Sequence, residues 1–328
     1  MPSFPKPNFS YDYEVDHEIS KLRQWKAFRN VAEKKNNSLL IATWNVANLG
    51  DQQRRPKDYR LIAEIISWFD VIALQEVKEN LDSLSQLVAH LGSDYRVFYT
   101  DASGNNERMT FFYDSTKVRT RELVGEVAPY PHDLKNIKLP GVQQKFEGFD
   151  RNPFIQSFLW SDFRFCLTNV HLYFGSAKNP TKSIERRQLE TLAVARWATQ
   201  QAGSKHNSEP DIILLGDFNL PFMEQGDPIY KILLKYGLVT TEHSTEIGTT
   251  LPTESKGKTK TVYHYDQIAF FPNTGKHYTQ ETGVFDFDGA LFGDLWKQVE
   301  QKKRKQSEFN AYVKYYISDH RLLWAKFT

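Results

Sequence analysis

Six times along this 328-residue chain a short apolar run meets a polar residue able to do chemistry. The densest case is Asp211 to Asn219, DIILLGDFN, in which the unbroken run Ile212–Leu215 reads as a strand covered on both faces. Gly216 is expected to let the backbone turn, so that Asp217 and Asn219 project into one pocket. The same grammar closes Leu39–Trp44 on Asn45, Val71–Gln75 on Glu76 and Phe165–Val170 on His171. It also opens Gln267–Phe271 with His264-Tyr265-Asp266, and Leu322–Phe327 with Ser318-Asp319-His320. Taken singly, each polar residue has a plain structural reading as a turn former, a strand-end ion pair or a satisfied core histidine. Taken together, they place carboxylates, amides and imidazoles at the ends of strands that share a core.

The remaining pattern organises the chain around those strands. Residues 1–37 read as an N-terminal arm with prolines at 2, 5 and 7 and a helix over Glu18–Ala32; residues 38–328 read as one domain. Leu61, Ile62, Ile65, Ile66 and Phe69 recur at helical spacing within Tyr59–Phe69, as do Leu81, Leu84, Leu87, Val88 and Leu91. Thr181–Gln201 is the longest helical pattern. Strands are expected at Tyr95–Thr100 and Met109–Tyr113, and Phe154–Leu159 and Arg164–Val170 form a hairpin turned at Ser161-Asp162. Gly125–Gly148 reads as a long exposed loop. Residues 282–317 read as an insertion between two strands, carrying the basic run Lys302-Lys303-Arg304-Lys305, either a solvated helix face or a contact to a phosphate backbone.

Composition bounds the partners and the compartment. A chain that is 40% hydrophobic can bury a large core, and a net charge of +2 leaves polyanion binding to local patches. The single cysteine, Cys166, lies in an apolar run and reads as a buried, inert thiol. Nothing at the start resembles a secretion leader and no window reaches the length of a membrane span, which points to a soluble, cytoplasmic protein.

The donors favour a hard cation. Glu76, with Asn45, Asp217 or Asp319 near it, offers oxygen ligands suited to Mg²⁺, Mn²⁺ or Ca²⁺, whereas zinc would call for more histidine or cysteine. Two histidines with acidic partners beside such a cation suit hydrolysis of a phosphate ester.

TWNVANLG, LQEV, NVHL, GDFN, YHYDQI and SDH occur in an order that resembles the endonuclease/exonuclease/phosphatase superfamily with the deoxyribonuclease I fold, and they run from about Leu39 to Phe327. The resemblance implies a four-layer αββα sandwich, two mixed sheets packed face to face with helices outside; pattern alone also allows a doubly wound sheet. It implies that His171, oriented by Glu107, and His320, oriented by Asp266, form an acid–base pair. It further implies that Glu76, helped by Asn45, holds Mg²⁺, that Asp217 and Asn219 position phosphate, ion or water, and that Asp319 completes the cluster. Glu107 and Arg151 match residues of deoxyribonuclease I, Arg151 as an arginine aimed at the substrate phosphate alongside Asn45 and Asn219.

Those two matches lean toward a metal-dependent DNA endonuclease, with a small-molecule or lipid phosphoesterase and a non-catalytic binding module as the competing readings. The chain departs from secreted deoxyribonuclease I in lacking disulfides and a leader, in having no tyrosine at the tip before Glu107, and in the segment 282–317. A nuclease sharing a compartment with its own genome calls for restraint, by a partner protein or by the N-terminal arm.

Overall fold

A computed structural model describes residues 3–175, 178–221, 224, 226–243, 246–252 and 262–328. The apolar runs assemble into two six-stranded mixed sheets. The first has the spatial order β11 (Tyr278–Phe285), β12 (Leu322–Phe327), β1 (Leu39–Leu49), β2 (Val71–Lys78), β4 (Glu107–Asp114) and β3 (Tyr95–Tyr99). The second has the order β5 (Arg119–Glu126), β6 (Phe154–Trp160), β7 (Phe163–His171), β8 (Asp211–Asp217), β10 (Asp266–Phe270) and β9 (Val239–Thr240). Each sheet is antiparallel except for one central parallel pair, β1 with β2 and β7 with β8.

Alternation along the strands explains why the runs are apolar throughout. Leu39 and Ile41 of β1 face Phe165, Ile213 and Leu215 of the other sheet in a core between the sheets. Their neighbours Leu40, Ala42 and Trp44 face outward into a second core, made with α2 (Pro56–Ile66), α3 (Asp82–Leu91) and α7 (Gln306–Tyr316). Ile212 and Leu214 of β8 likewise face outward, against α4 (Pro180–Ala202) and α5 (Pro228–Lys235). Successive side chains leave a strand on opposite faces, so a strand sandwiched between a sheet and a helix layer must be apolar at both parities. The result is the αββα sandwich.

Gly216 does not turn the chain; β8 runs through it. Its φ is +139°, and a Cβ there would lie 2.0 Å from the carbonyl oxygen of Val170. The glycine is needed because β7 passes too close for any side chain.

Other boundaries moved for identifiable reasons. Helix α1 covers Val15–Phe28, earlier than the expected Glu18–Ala32. It docks through Leu22 into the outer core, while Arg29 and the Trp25 indole bind Asp286 and Glu18 accepts the Phe292 amide at 2.7 Å. Strand β5 begins ahead of the expected loop and is largely exposed, so it carries no apolar period. The segment 282–317 opens inside β11, an edge strand paired to β12, and then forms α6 (Gly293–Glu300) and α7. Cys166 is fully buried, and burial pushes its thiol up to about 12.

Candidate active site

Both parallel pairs deliver their C-terminal ends to the same edge of the sandwich. In the second sheet the register sets His171 beside Asp217 and Asp217 beside Asp266, on three neighbouring strands. Residues opposite one another point to the same side of a sheet, so the pairing itself gathers an imidazole and two carboxylates. In the first sheet Asn45 leaves β1 where its register with β2 breaks, and Glu76 sits in β2 with a left-handed φ of 61°. These irregularities turn both side chains toward the edge.

Asp217 is the focus. Its Oδ1 accepts from the Asn219 amide at 2.8 Å, with Asn219 itself at a left-handed φ of 51°. Its Oδ2 lies 3.2 Å from Asn45 Nδ2, 3.5 Å from His171 Nε2 and 3.8 Å from His320 Nε2. Burial works to raise this carboxyl, but the two imidazoles, the Asn219 amide and Asn45 outweigh it and hold it below the usual range. Asn219 also donates from Nδ2 to the Leu172 carbonyl at 2.7 Å, which ties β8 to the end of β7.

Each histidine is backed by a carboxylate from the opposite sheet. His171 Nδ1 is 3.1 Å from Glu107 Oε2, and Glu107 also meets Lys78 Nζ at 3.0 Å and Arg151 at 3.2 Å. Burial pushes the Glu107 carboxyl up, but His171, Arg151 and Lys78 together take it well below the ordinary glutamate value. Arg151 is only 2% exposed and donates to the His171 and Leu172 carbonyls at 3.0 and 3.2 Å. The structure therefore places it beneath His171 rather than in the opening, where a phosphate-directed arginine was expected.

His320 Nδ1 pairs with Asp266 Oδ2 at 2.8 Å. Its backbone amide donates to Ser318 Oγ at 2.9 Å, Ser318 donates to the Asn45 carbonyl at 2.6 Å, and the Trp44 indole donates to the His320 carbonyl at 2.8 Å. Burial opposes a charged ring here, yet Asp266, Asp217 and Asp319 outweigh it and raise His320 well above its ordinary value. Asp266 is itself raised, by burial and by the Asp217 charge, against the pull of His320.

Two arrangements offer oxygen donors to a cation. Glu76 Oε1 accepts from Asn45 Nδ2 at 3.1 Å and Oε2 from the Asn48 amide at 3.0 Å. Asp319 lies close enough that Glu76 adds to the burial that raises its carboxyl, with His320 opposing. A cation would relieve that repulsion, and two carboxylates suit a hard divalent ion. Asn45 turns its oxygen to the Ala47 amide at 3.0 Å and its nitrogen to Glu76 and Asp217, so it stands there as a donor rather than a ligand. Asp217, Asp266 and His320 also bring ligand atoms within 4.8 Å of one another and could hold an ion. In that cluster an ion would have to displace the proton from the His320 ring to take its lone pair.

Residues 42–320 match the Endonuclease/Exonuclease/phosphatase family. The chain belongs to this family. A protein of Thioalkalivibrio named deoxyribonuclease is 30% identical over 192 residues, which are 56% of this chain and 46% of that protein. The matched part thus spans less than half of that relative's length. A truncated Caenorhabditis elegans TDP2 superposes with a TM-score of 0.55 at 15% identity, covering 89% of this chain and 98% of that one. D. rerio TDP2, solved with a single-strand DNA product, gives 0.53 at 16% identity, covering 89% and 99%. A mannosyl-6-phosphatase of Bacteroides thetaiotaomicron gives 0.53 at 15%, covering 88% and 99%. At such identities the likeness is one of fold.

Family membership goes with hydrolysis of phosphoesters, and one member of this site had no sequence signal of its own. Lys78 is paired in register with Glu107 across β2 and β4 and is 3% exposed. In sequence it is one of many lysines; only the strand register gives it a buried partner.

Proposed function

We propose that the protein is a divalent-metal-dependent nuclease that hydrolyses phosphodiester bonds in DNA. The observation that carries this reading is the meeting of His171 and His320 at one oxygen of Asp217, each imidazole oriented from behind by its own carboxylate. The likeness to a protein named deoxyribonuclease supports the substrate. Glu76 and Asp319 would hold the ion, which when bound supplies positive charge to a phosphoryl oxygen.

The chain's own residues divide the proton work. Glu107 engages Nδ1 of His171 and leaves Nε2 as the atom facing Asp217 and the opening. In this reading His171 Nε2 takes a proton from water while Asp217 orients it. The water oxygen bonds to phosphorus as the bond to the leaving oxygen breaks. His320, held protonated by Asp266 and Asp217, gives its Nε2 proton to that leaving oxygen; His171 then releases the proton it took to solvent and His320 takes one back, which restores the site. Arg151 acts as a positioning residue, holding the His171 backbone and the Glu107 carboxylate together.

Nicking of supercoiled plasmid with Mg²⁺, Mn²⁺ or chelator, by the wild type and His171→Ala, tests the reading. Metal-dependent nicking that the variant lacks is expected. Inert plasmid and oligonucleotides beside rapid turnover of a small phosphoester would replace it with the phosphoesterase reading.

A further inference from the structure

Beside the reacting groups lies a cavity of about 160 Å³ whose floor includes Asn219, Asp319 and His320. Its walls are aromatic. Tyr263 and Tyr265 stack with centroids 5.2 Å apart at 23°, Phe174 meets Tyr265 edge-on at 6.3 Å, and Tyr265 lies 6.1 Å from the His320 ring. Phe174 is 40% exposed, unlike the rings of the sandwich cores. Its position is built: Arg187, itself buried, donates to the carbonyls of Tyr173, Phe174 and Asn219 at 2.9, 2.6 and 2.8 Å, and its guanidinium lies 5.7 Å from the Phe174 ring. Lys314 supplies a cation at the same wall.

Nothing in the proton transfers described above uses Phe174 or Tyr263. An exposed ring held by a buried arginine, a stacked tyrosine pair and a cation, lining one cavity with Asn219, Asp319 and His320, make a surface for a flat aromatic group attached to a phosphate. We infer that this cavity receives one unpaired nucleobase of a single-stranded nucleic acid, next to the phosphate being cut. The inference rests on the nuclease reading and deepens it. A base inside a duplex is stacked on its neighbours and must be extruded before it can enter such a cavity, whereas a single strand or frayed end offers it without that cost. Single strands and open ends are therefore the preferred substrates.

The test separates binding from cutting. A single-stranded oligonucleotide carrying 2-aminopurine is bound in chelator, beside the same strand with that base removed and the same strand fully paired. Stacking on an aromatic side chain contributes about 1–3 kcal/mol per base, so the strand with its base binds about tenfold tighter than the strand without it, and its fluorescence is quenched. Phe174→Ala and Tyr263→Ala bring that ratio to about one, whereas Phe174→Trp and Tyr263→Phe keep it, which excludes a collapsed fold as the cause. A wild-type ratio near one, or a ratio that the alanine variants leave in place, overturns the inference. Calorimetric binding of phenyl phosphate that is tighter than that of the strand, and that the alanine variants abolish, also overturns it, in favour of a small aromatic phosphoester. Cleavage of the same strands with Mg²⁺ reads the nuclease activity separately, so loss of that reading and loss of the base cavity give different results.

Discussion

The two histidine–carboxylate pairs look alike in outline and differ in company. His171 comes from the second sheet and its carboxylate, Glu107, from the first; His320 precedes a strand of the first sheet and its carboxylate, Asp266, comes from the second. Glu107 is shared with two buried cations, Lys78 and Arg151. Asp266 faces His320 and the like charge of Asp217, and its backbone amide is held by Thr249 at 3.1 Å. So one carboxyl sits well below its ordinary value and the other above it. The same pairing of residue types thus yields unequal electrostatics, and unequal contact as well: 3.1 Å for His171 with Glu107 and a 2.8 Å hydrogen bond for His320 with Asp266. Beside His171, Glu107 keeps two charges that stay in place, Lys78 and Arg151, while the positive charge opposite Asp266 belongs to a proton on His320, which is available to leave.

The largest effects should come from the imidazoles themselves. His171→Ala and His320→Ala are each expected to lower kcat by about 10²–10⁴ on DNA. A p-nitrophenyl phosphodiester, whose leaving group needs no proton, should restore His320→Ala far more than His171→Ala. Equal restoration in a kcat comparison would break the division of acid from base.

Stability should separate the carboxylates next. Glu107→Gln leaves Lys78 and Arg151 buried without their counter-charge, at a cost of about 3 kcal/mol or more. Asp266→Asn removes a carboxylate that burial already disfavours, and should cost less. Denaturant midpoints at neutral pH read the difference, and equal losses would mean that the cations around Glu107 are not what distinguishes the pairs. The same residue fixes a pH dependence. Because the folded Glu107 value lies below the ordinary one of about 4.3, its stabilisation is complete above that pH and is lost as the pH falls through the folded value. The wild type should therefore lose stability on acidification below about pH 5 more steeply than Glu107→Gln.

A smaller effect locates the ion relative to the two pairs. If Glu76 and Asp319 hold it, Glu76→Gln should weaken Mn²⁺ binding about tenfold in a calorimetric titration, since removing a charged ligand lowers affinity. Weakening by Asp266→Asn with Glu76→Gln unaffected would move the ion to the cluster of Asp217, Asp266 and His320. The smallest effect belongs to the exposed run after α6, where Arg304 lies over the Phe9 ring and bonds Glu308. Lys302→Ala with Lys303→Ala should change DNA binding by less than about twofold and leave its salt dependence unaltered. A shallower salt slope would add this segment to the binding surface.

Much of the architecture was legible because burial on two faces leaves a direct mark, an apolar run without alternation, as in Leu39–Trp44 and Ile212–Leu215. Strand β5 left no such mark because its edge position exposes most of its side chains. Glu107, His171, Asp217, Asp266 and His320 could be named from motifs, and the structure brings all five together with Asn45 and Asn219. What local sequence could not carry was direction. Arg151 was expected to face a phosphate and instead lies under His171. The Asn45 oxygen was expected near an ion and instead accepts from Ala47.

Sequence by itself determined which residues stand at the strand ends, since hydrophobic pattern and chain punctuation are local properties. Tertiary structure alone decided that each histidine draws its carboxylate from the opposite sheet, that Lys78 and Arg151 neutralise one of those carboxylates and not the other, and that Phe174 reaches the same cavity as Tyr263. Those outcomes depend on strand register and sheet packing, which join residues up to 89 positions apart in the case of Phe174 and Tyr263 and leave no periodic trace along the chain.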